Sequence, residues 1–157
     1  MENLLSERTR PKSLLGGERM DYVIDRDPTH RVLRLTVTTE VVTKELADNF
    51  NRAFLLVASR GGPYAAILDL SGVTVTTLFP YDVRGLAWRD PAVPAGRERV
   101  VVAKEPFVFG LARIFQLCRD VLGHQYQVVR SLEEAYAMLG VRSENFTQRV
   151  FPQDQAA

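Results

Sequence analysis

Apolar and polar residues alternate, partially, in two short runs near the start of the chain, 21–25 and 32–38, the pattern of half-buried strands. Between them lies Arg26-Asp27-Pro28-Thr29-His30, rich in turn formers. The period then changes. Over residues 43–59, Leu46, Phe50, Ala53, Phe54 and Val57 recur at the spacing of one helical face. Gly61-Gly62-Pro63 ends that pattern, because Gly accepts the left-handed cap and Pro cannot extend a helix. Residues 64–70 are nearly all apolar, as in a strand covered on both faces. A loop leads to a short helix over 80–88, opened by Pro80, and residues 90–96 form a breaker-rich connection. Residues 99–103 read as another buried strand. Pro106 opens the longest apolar helix, over 106–122, stopped at Gly123. A last strand over 125–129 precedes a last helix over 131–139, with Ser131 and Glu134 spaced as a capping box and Gly140 as its stop.

The order β-β-α-β-α-β-α-β-α predicts an α/β fold with a mixed, mostly parallel sheet under covering helices. The opening strand pair supplies the antiparallel part. The domain is expected to span residues 20–141. Residues 1–19 are polar and aperiodic and read as a disordered leader. Gly16-Gly17-Glu18-Arg19 would be encoded by a purine-rich stretch resembling a bacterial ribosome-binding site, so Met20 is the expected natural start. Residues 142–157 read as a loose polar tail in which Phe146, Val150 and Phe151 can pack back on the domain.

Composition changes this picture little. A 157-residue chain with 46% hydrophobic and 25% charged residues needs neither metal nor disulfide to fold. A net charge of +1 gives no electrostatic reason to bind nucleic acid. No run approaches the roughly 18 apolar residues that span a bilayer, so no membrane insertion is expected. Cys118 sits alone in an apolar run and reads as a buried thiol. With no secretory signal pattern, a cytoplasmic setting follows.

Motifs for catalysis are missing. The chain has no phosphate-binding G-x-x-x-x-G-K-[ST] loop, no G-x-G-x-x-G and no G-x-S-x-G elbow. His30 and His124 fall in expected turns and read as solvated, and they and Cys118 lack metal-ligand spacing. Glu133 and Glu134 suit the first turn of a helix through its dipole. No catalytic residue, metal or cofactor is assigned.

The run Asp69-Leu70-Ser71-Gly72-Val73 resembles the strand-to-loop segment of STAS domains, the family of anti-sigma-factor antagonists and sulphate-transporter tails. The element order is similar too, and Ser131-Leu132-Glu133-Glu134-Ala135 looks like the family's S-x-E-E-A ending. The resemblance covers about residues 20–141 and implies a single STAS-like domain that binds a protein partner in bacterial signalling. The family's switch is a phosphorylatable residue in D-[ST]-[ST]-G before the second helix. Aligned without gaps from Asp69, those positions are Thr77, Leu78, Phe79 and Pro80, so the phosphorylated position falls on Phe79 and the motif is absent. What remains of the implied function is the docking surface, here Thr76, Thr77, Phe79, Tyr81, Arg84 and Trp88. Divergent STAS-like proteins, some of which resemble lipid-binding domains, are the nearer comparison.

Two further features carry candidate sites. The carboxyl edge of an open α/β sheet favours ligands, and two helices are expected to begin there. Ser71, Lys104 and Phe107 join Thr76 and Thr77 as candidates for an anion or other ligand, against the plainer reading that the threonines cap the short helix. The helix over 106–122 is apolar all round except for Arg113, Gln116, Arg119 and Asp120, expected to form its outward stripe. Its surplus apolar surface leaves three uses open: packing on a neighbouring helix, a homodimer seam, or the wall of a pocket for an apolar small molecule. The leading reading is a non-catalytic module that binds a protein. A carrier or sensor of an apolar small molecule or lipid is the alternative, and an enzyme assembled only in space comes third.

Overall fold

The computed structural model describes residues 20–60, 63–89 and 97–152. Strands β1 (Tyr22–Asp27) and β2 (Val32–Val37) form an antiparallel hairpin. Its turn is held by Asp27, which accepts from the backbone N–H of Thr29 and His30 at 2.9 and 3.0 Å. His30 is exposed but not merely solvated: its Nδ1 lies 2.7 Å from the buried Asp27 carboxylate. Arg31 completes the turn at a φ of 57°, in the left-handed region.

From β2 the chain enters a run of crossovers. The strands are β4 (Ala65–Asp69), β6 (Arg99–Val102) and β7 (Gln127–Val129), each parallel to its predecessor. Helices α1 (Lys44–Arg60), α2 (Pro80–Ala87) and α3 (Pro106–Val121) connect them, and α4 (Leu132–Leu139) follows β7. Two-residue strands β3 (Val41–Val42) and β5 (Val75–Thr76) pair with each other in a small second sheet. Strand β8 (Gln148–Val150) pairs antiparallel with β1, giving the main sheet the order β7-β6-β4-β2-β1-β8.

This α/β architecture, which among the described residues has a mixed and mostly parallel six-stranded sheet and four helices, follows the predicted order. The parallel strands are added one after another without reversal. Crossovers of one hand therefore place their helices on one face. Ile24, Leu33, Leu35, Val37, Ala66 and Val101 form that face's core with Phe50, Phe54 and Val57 of α1 and Val108 and Ala112 of α3. The second face is covered by α4 and the segment after it: Val32, Ile67, Val100 and Val102 pack with Ala135, Val141 and Phe146.

The helix boundaries obey local chemistry. Thr43 caps α1 by accepting from Leu46 N–H at 3.1 Å. Glu105 caps α3 by accepting from Val108 N–H at 2.9 Å. Ser131 accepts from Glu134 N–H at 3.2 Å, while the Glu134 carboxylate takes the N–H of Arg130 rather than that of Ser131. Gly140 ends α4 at a φ of 66°.

The tail expectation requires correction. Phe146 and Val150 are buried, and β8 is a strand of the main sheet, so the domain continues past residue 141 to at least Val150. The leader 1–19, the Gly61-Gly62 stop, the 90–96 connection and residues 153–157 lie outside the described residues.

Candidate functional site

The segment from β5 through α2 sits beyond the carboxyl end of the main sheet. Thr76 does not cap α2. Its Oγ1 donates to Val42 O at 2.8 Å and accepts from Leu78 N–H at 3.1 Å, tying β5 to β3 and shaping the approach to the helix. Thr77 anchors by its backbone, donating to Val42 O at 3.1 Å, and leaves its side chain exposed. The N-cap of α2 is Phe79, which has no side-chain acceptor. Asp82 instead reaches back to accept from Phe79 N–H at 2.8 Å.

Buried Val83 and Ala87 turn α2 inward. The opposite face carries Tyr81, Arg84, Gly85 and Trp88, all exposed and spaced at i, i+3, i+4 and i+7. Tyr81 is 68% and Trp88 64% exposed, so these aromatics do not pack inward over the sheet. Phe79 lies outside the core as well: it is 59% exposed and stacks on Tyr81, with ring centroids 5.9 Å apart and planes within 7°. A Cβ built on Gly85 meets nothing within 4 Å, so the gap between Tyr81 and Trp88 opens outward.

What holds α2 in place is Arg119 of α3. It is 1% exposed, and its Nη1 donates to Ala87 O at 2.6 Å and Arg89 O at 2.7 Å. A guanidinium thus satisfies carbonyls that the last turn of α2 leaves without intrahelical partners. On its other side α2 is tied to α1 by an ion pair of Arg89 with Asp48 at 2.6 Å. Arg119 also lies over Tyr126, 5.8 Å from the ring centroid, and Arg99 approaches the same ring at 5.4 Å. Burial pushes the Tyr126 hydroxyl up in pKa, opposed by the two guanidiniums. Burial also pushes His124 down, helped by Arg119 and Arg99. His124 is therefore half-buried beside two cations rather than a solvated turn residue.

The outward stripe expected of α3 holds only in part. Arg113 and Asp120 are exposed, but Gln116 and Arg119 are buried, with Gln116 Nε2 donating to Tyr126 O at 2.7 Å, while Phe107, Leu117 and Val121 are exposed. Cys118 is half-buried.

Beneath α2 lies an apolar cavity of about 120 Å³ between α1, α2, α3 and the sheet. Phe50, Leu68, Val83, Leu86, Leu111 and Phe115 are among its walls, and among the described residues Asn51 and Thr76 are its only polar lining. Phe107 is not among them.

The other ligand candidates are not gathered into a site. Ser71 N–H donates to Asp69 Oδ1 at 2.9 Å, which closes the strand-end loop as a structural turn. Lys104 is exposed and forms no ion pair among the described residues. The N-termini of α2 and α3 already hold their own carboxylates, Asp82 and Glu105, which disfavours an incoming anion at either. The topology agrees, because ligands favour a reversal in strand order and the parallel strands here have none. Among the described residues no cluster of three or more His, Cys, Asp or Glu could hold a metal, and no helix is long and apolar enough to cross a membrane.

Comparisons with models of protein families, with curated proteins and with solved structures found no match.

Proposed function

We propose that this chain is a non-catalytic, STAS-like cytoplasmic module of bacterial signalling that binds another protein through the exposed face of α2. The observation that carries the reading is the joint exposure of Tyr81, Arg84 and Trp88 on one side of a helix whose other side is fixed by Val83, Ala87 and the Arg119 clamp. Trp, Tyr and Arg are the residues most enriched among interface hot spots, and exposed aromatics grouped on a rigid element mark a binding surface. Gly85 leaves room between the two rings for a partner side chain. A partner docking here would not be released by the family's phosphate at the aligned position, because Phe79 has no hydroxyl.

The test is binding of a recovered partner by the Tyr81→Ala and Trp88→Ala variants. Both side chains are mostly exposed, so folding should be retained, as circular dichroism would show. Loss of a true anchor costs about 2 kcal/mol or more, roughly a thirtyfold drop in affinity. Unchanged affinity in both folded variants would remove this face.

The cavity under α2 supports a second reading, a receptor for a small apolar molecule. Its 120 Å³ is close to the roughly 150 Å³ of an apolar cavity that admits benzene, and well below the roughly 300–1,000 Å³ of sites for drug-sized ligands. A lipid chain would require α2 to lift, so this reading stands second. Uptake of benzene with a rise in thermal stability would support it.

A further inference from the structure

We infer that the outer face of α3 pairs with the same face of a second copy of this chain, the two helices running antiparallel. The inference is independent of the α2 docking face. Phe107, Gly110, Ile114, Leu117 and Val121 follow one another at intervals of three and four residues, the spacing of a helix–helix seam. In the monomer this seam points outward: Phe107, Leu117 and Val121 are 55%, 57% and 80% exposed, Gly110 is exposed and Ile114 is half-buried. The inward side of α3 joins Val108, Leu111 and Ala112 with the polar Gln116 and Arg119, which leaves the apolar seam residues to the surface.

Gly110 is the second observation. A glycine inside a helix is disfavoured relative to alanine. A Cβ built at Gly110 meets nothing within 4 Å, so packing within one copy gives no reason for the missing side chain. In an antiparallel pair with Ile114 opposite Leu117, Gly110 falls opposite Val121. The most exposed apolar side chain of the stripe then meets the one position that has no side chain, and the helix axes can approach closely.

Charge selects the orientation. Arg113 and Asp120 each precede a seam residue by one position, so both lie on the same flank, two turns apart and exposed. Neither has an ion-pair partner among the described residues. A two-fold interface is self-complementary, so contact i–j recurs as j–i. Antiparallel pairing lays this flank against its own copy and sets Arg113 against Asp120 of the second copy, twice. Parallel pairing would set both charges against the flank carrying Leu111 and Cys118. A single helix pair lies at the small end of specific interfaces, so a dissociation constant on the order of 10 μM is expected.

Sedimentation of the full chain between about 1 and 200 μM should show mass rising from one copy to two around that constant. Leu117→Asp should weaken dimerisation at least tenfold while leaving circular dichroism unchanged. The decisive arm is a charge swap. Arg113→Asp and Asp120→Arg should each be monomeric alone, because each sets like charges opposite one another, and should dimerise when mixed one to one. A chain monomeric throughout the range, a dimer indifferent to Leu117→Asp, or swap variants that do not rescue each other would each overturn the inference.

Discussion

Replacing Arg119 with Met tests whether one buried guanidinium secures α2. Met keeps much of the aliphatic stem that fills space beside Tyr126 and removes only the donors. Arg119 gives two bonds, to Ala87 O and Arg89 O, and bonds involving a charged group contribute about 1.5–3 kcal/mol each. The gross loss is therefore about 3–6 kcal/mol. Part of it is offset, because Nε and Nη2 of Arg119 are buried without hydrogen-bond partners among the described residues and desolvating a cation costs several kcal/mol. The Arg89 carbonyl can also turn to water once released, whereas that of Ala87 lies in a buried contact. We expect a net loss of about 2–4 kcal/mol in urea-unfolding free energy, with a fall in Tm of roughly 6–12 °C at 3 kcal/mol. The loss should be local as well as global, with amide exchange in α2 accelerating more than in β2. Unfolding within about 0.5 kcal/mol of the parent, or equal acceleration in α2 and β2, would refute the clamp.

Three other perturbations follow from the packing. Burial alone would raise the Asp27 carboxyl, but hydrogen bonds from the His30 backbone and ring, with Asn145, outweigh it and hold its pKa below the usual carboxylate range. Its stabilisation is thus fully present above the unfolded value of about 3.9 and is lost as pH falls through the lower folded value, so Asp27→Asn should cost about 2–3 kcal/mol at pH 7 and progressively less below pH 4 in denaturant titrations. Ending the chain at Val141 should cost at least about 3 kcal/mol, since burial of Phe146 and Val150 contributes roughly 1.5–3 kcal/mol each; the bared β1 edge should promote aggregation visible in light scattering. Gly110→Ala should raise thermal stability by up to about 1 kcal/mol at concentrations where the chain is monomeric, because the new Cβ has open space, while weakening self-association.

Local chemistry made most of the fold legible. Thr43, Glu105 and Ser131 cap helices whose starts were marked by residue type and period, and Pro80 and Pro106 open theirs in the first turn. The nearly all-apolar β4 and β6 were recognisable because burial on both faces removes alternation. What the sequence hid was non-local. Gln148-Arg149-Val150 has no strand pattern of its own and is a strand because the edge of β1, more than 120 residues earlier, offers its hydrogen bonds. The β3–β5 ladder is two residues long and too short to show a period.

The rotation of α3 was misread for a related reason. Arg119 and Gln116 look like solvent-facing residues until the carbonyls of Ala87, Arg89 and Tyr126 are placed beside them. At the candidate site, the aromatic content of α2 was plain in the sequence, but its exposure was not. The surplus apolar face of α3 and its Gly110 were the one local hint that the helix is turned.

The docking role of α2 is tested most directly by photocrosslinking in native cells, with p-benzoylphenylalanine placed at Tyr81, at Trp88 and, as a control, at the exposed Glu133 of α4. The account predicts the same discrete protein adduct from positions 81 and 88, none from 133, and its loss when Arg84→Ala is added. No adduct from either α2 position, or an equal yield from 133, would contradict it.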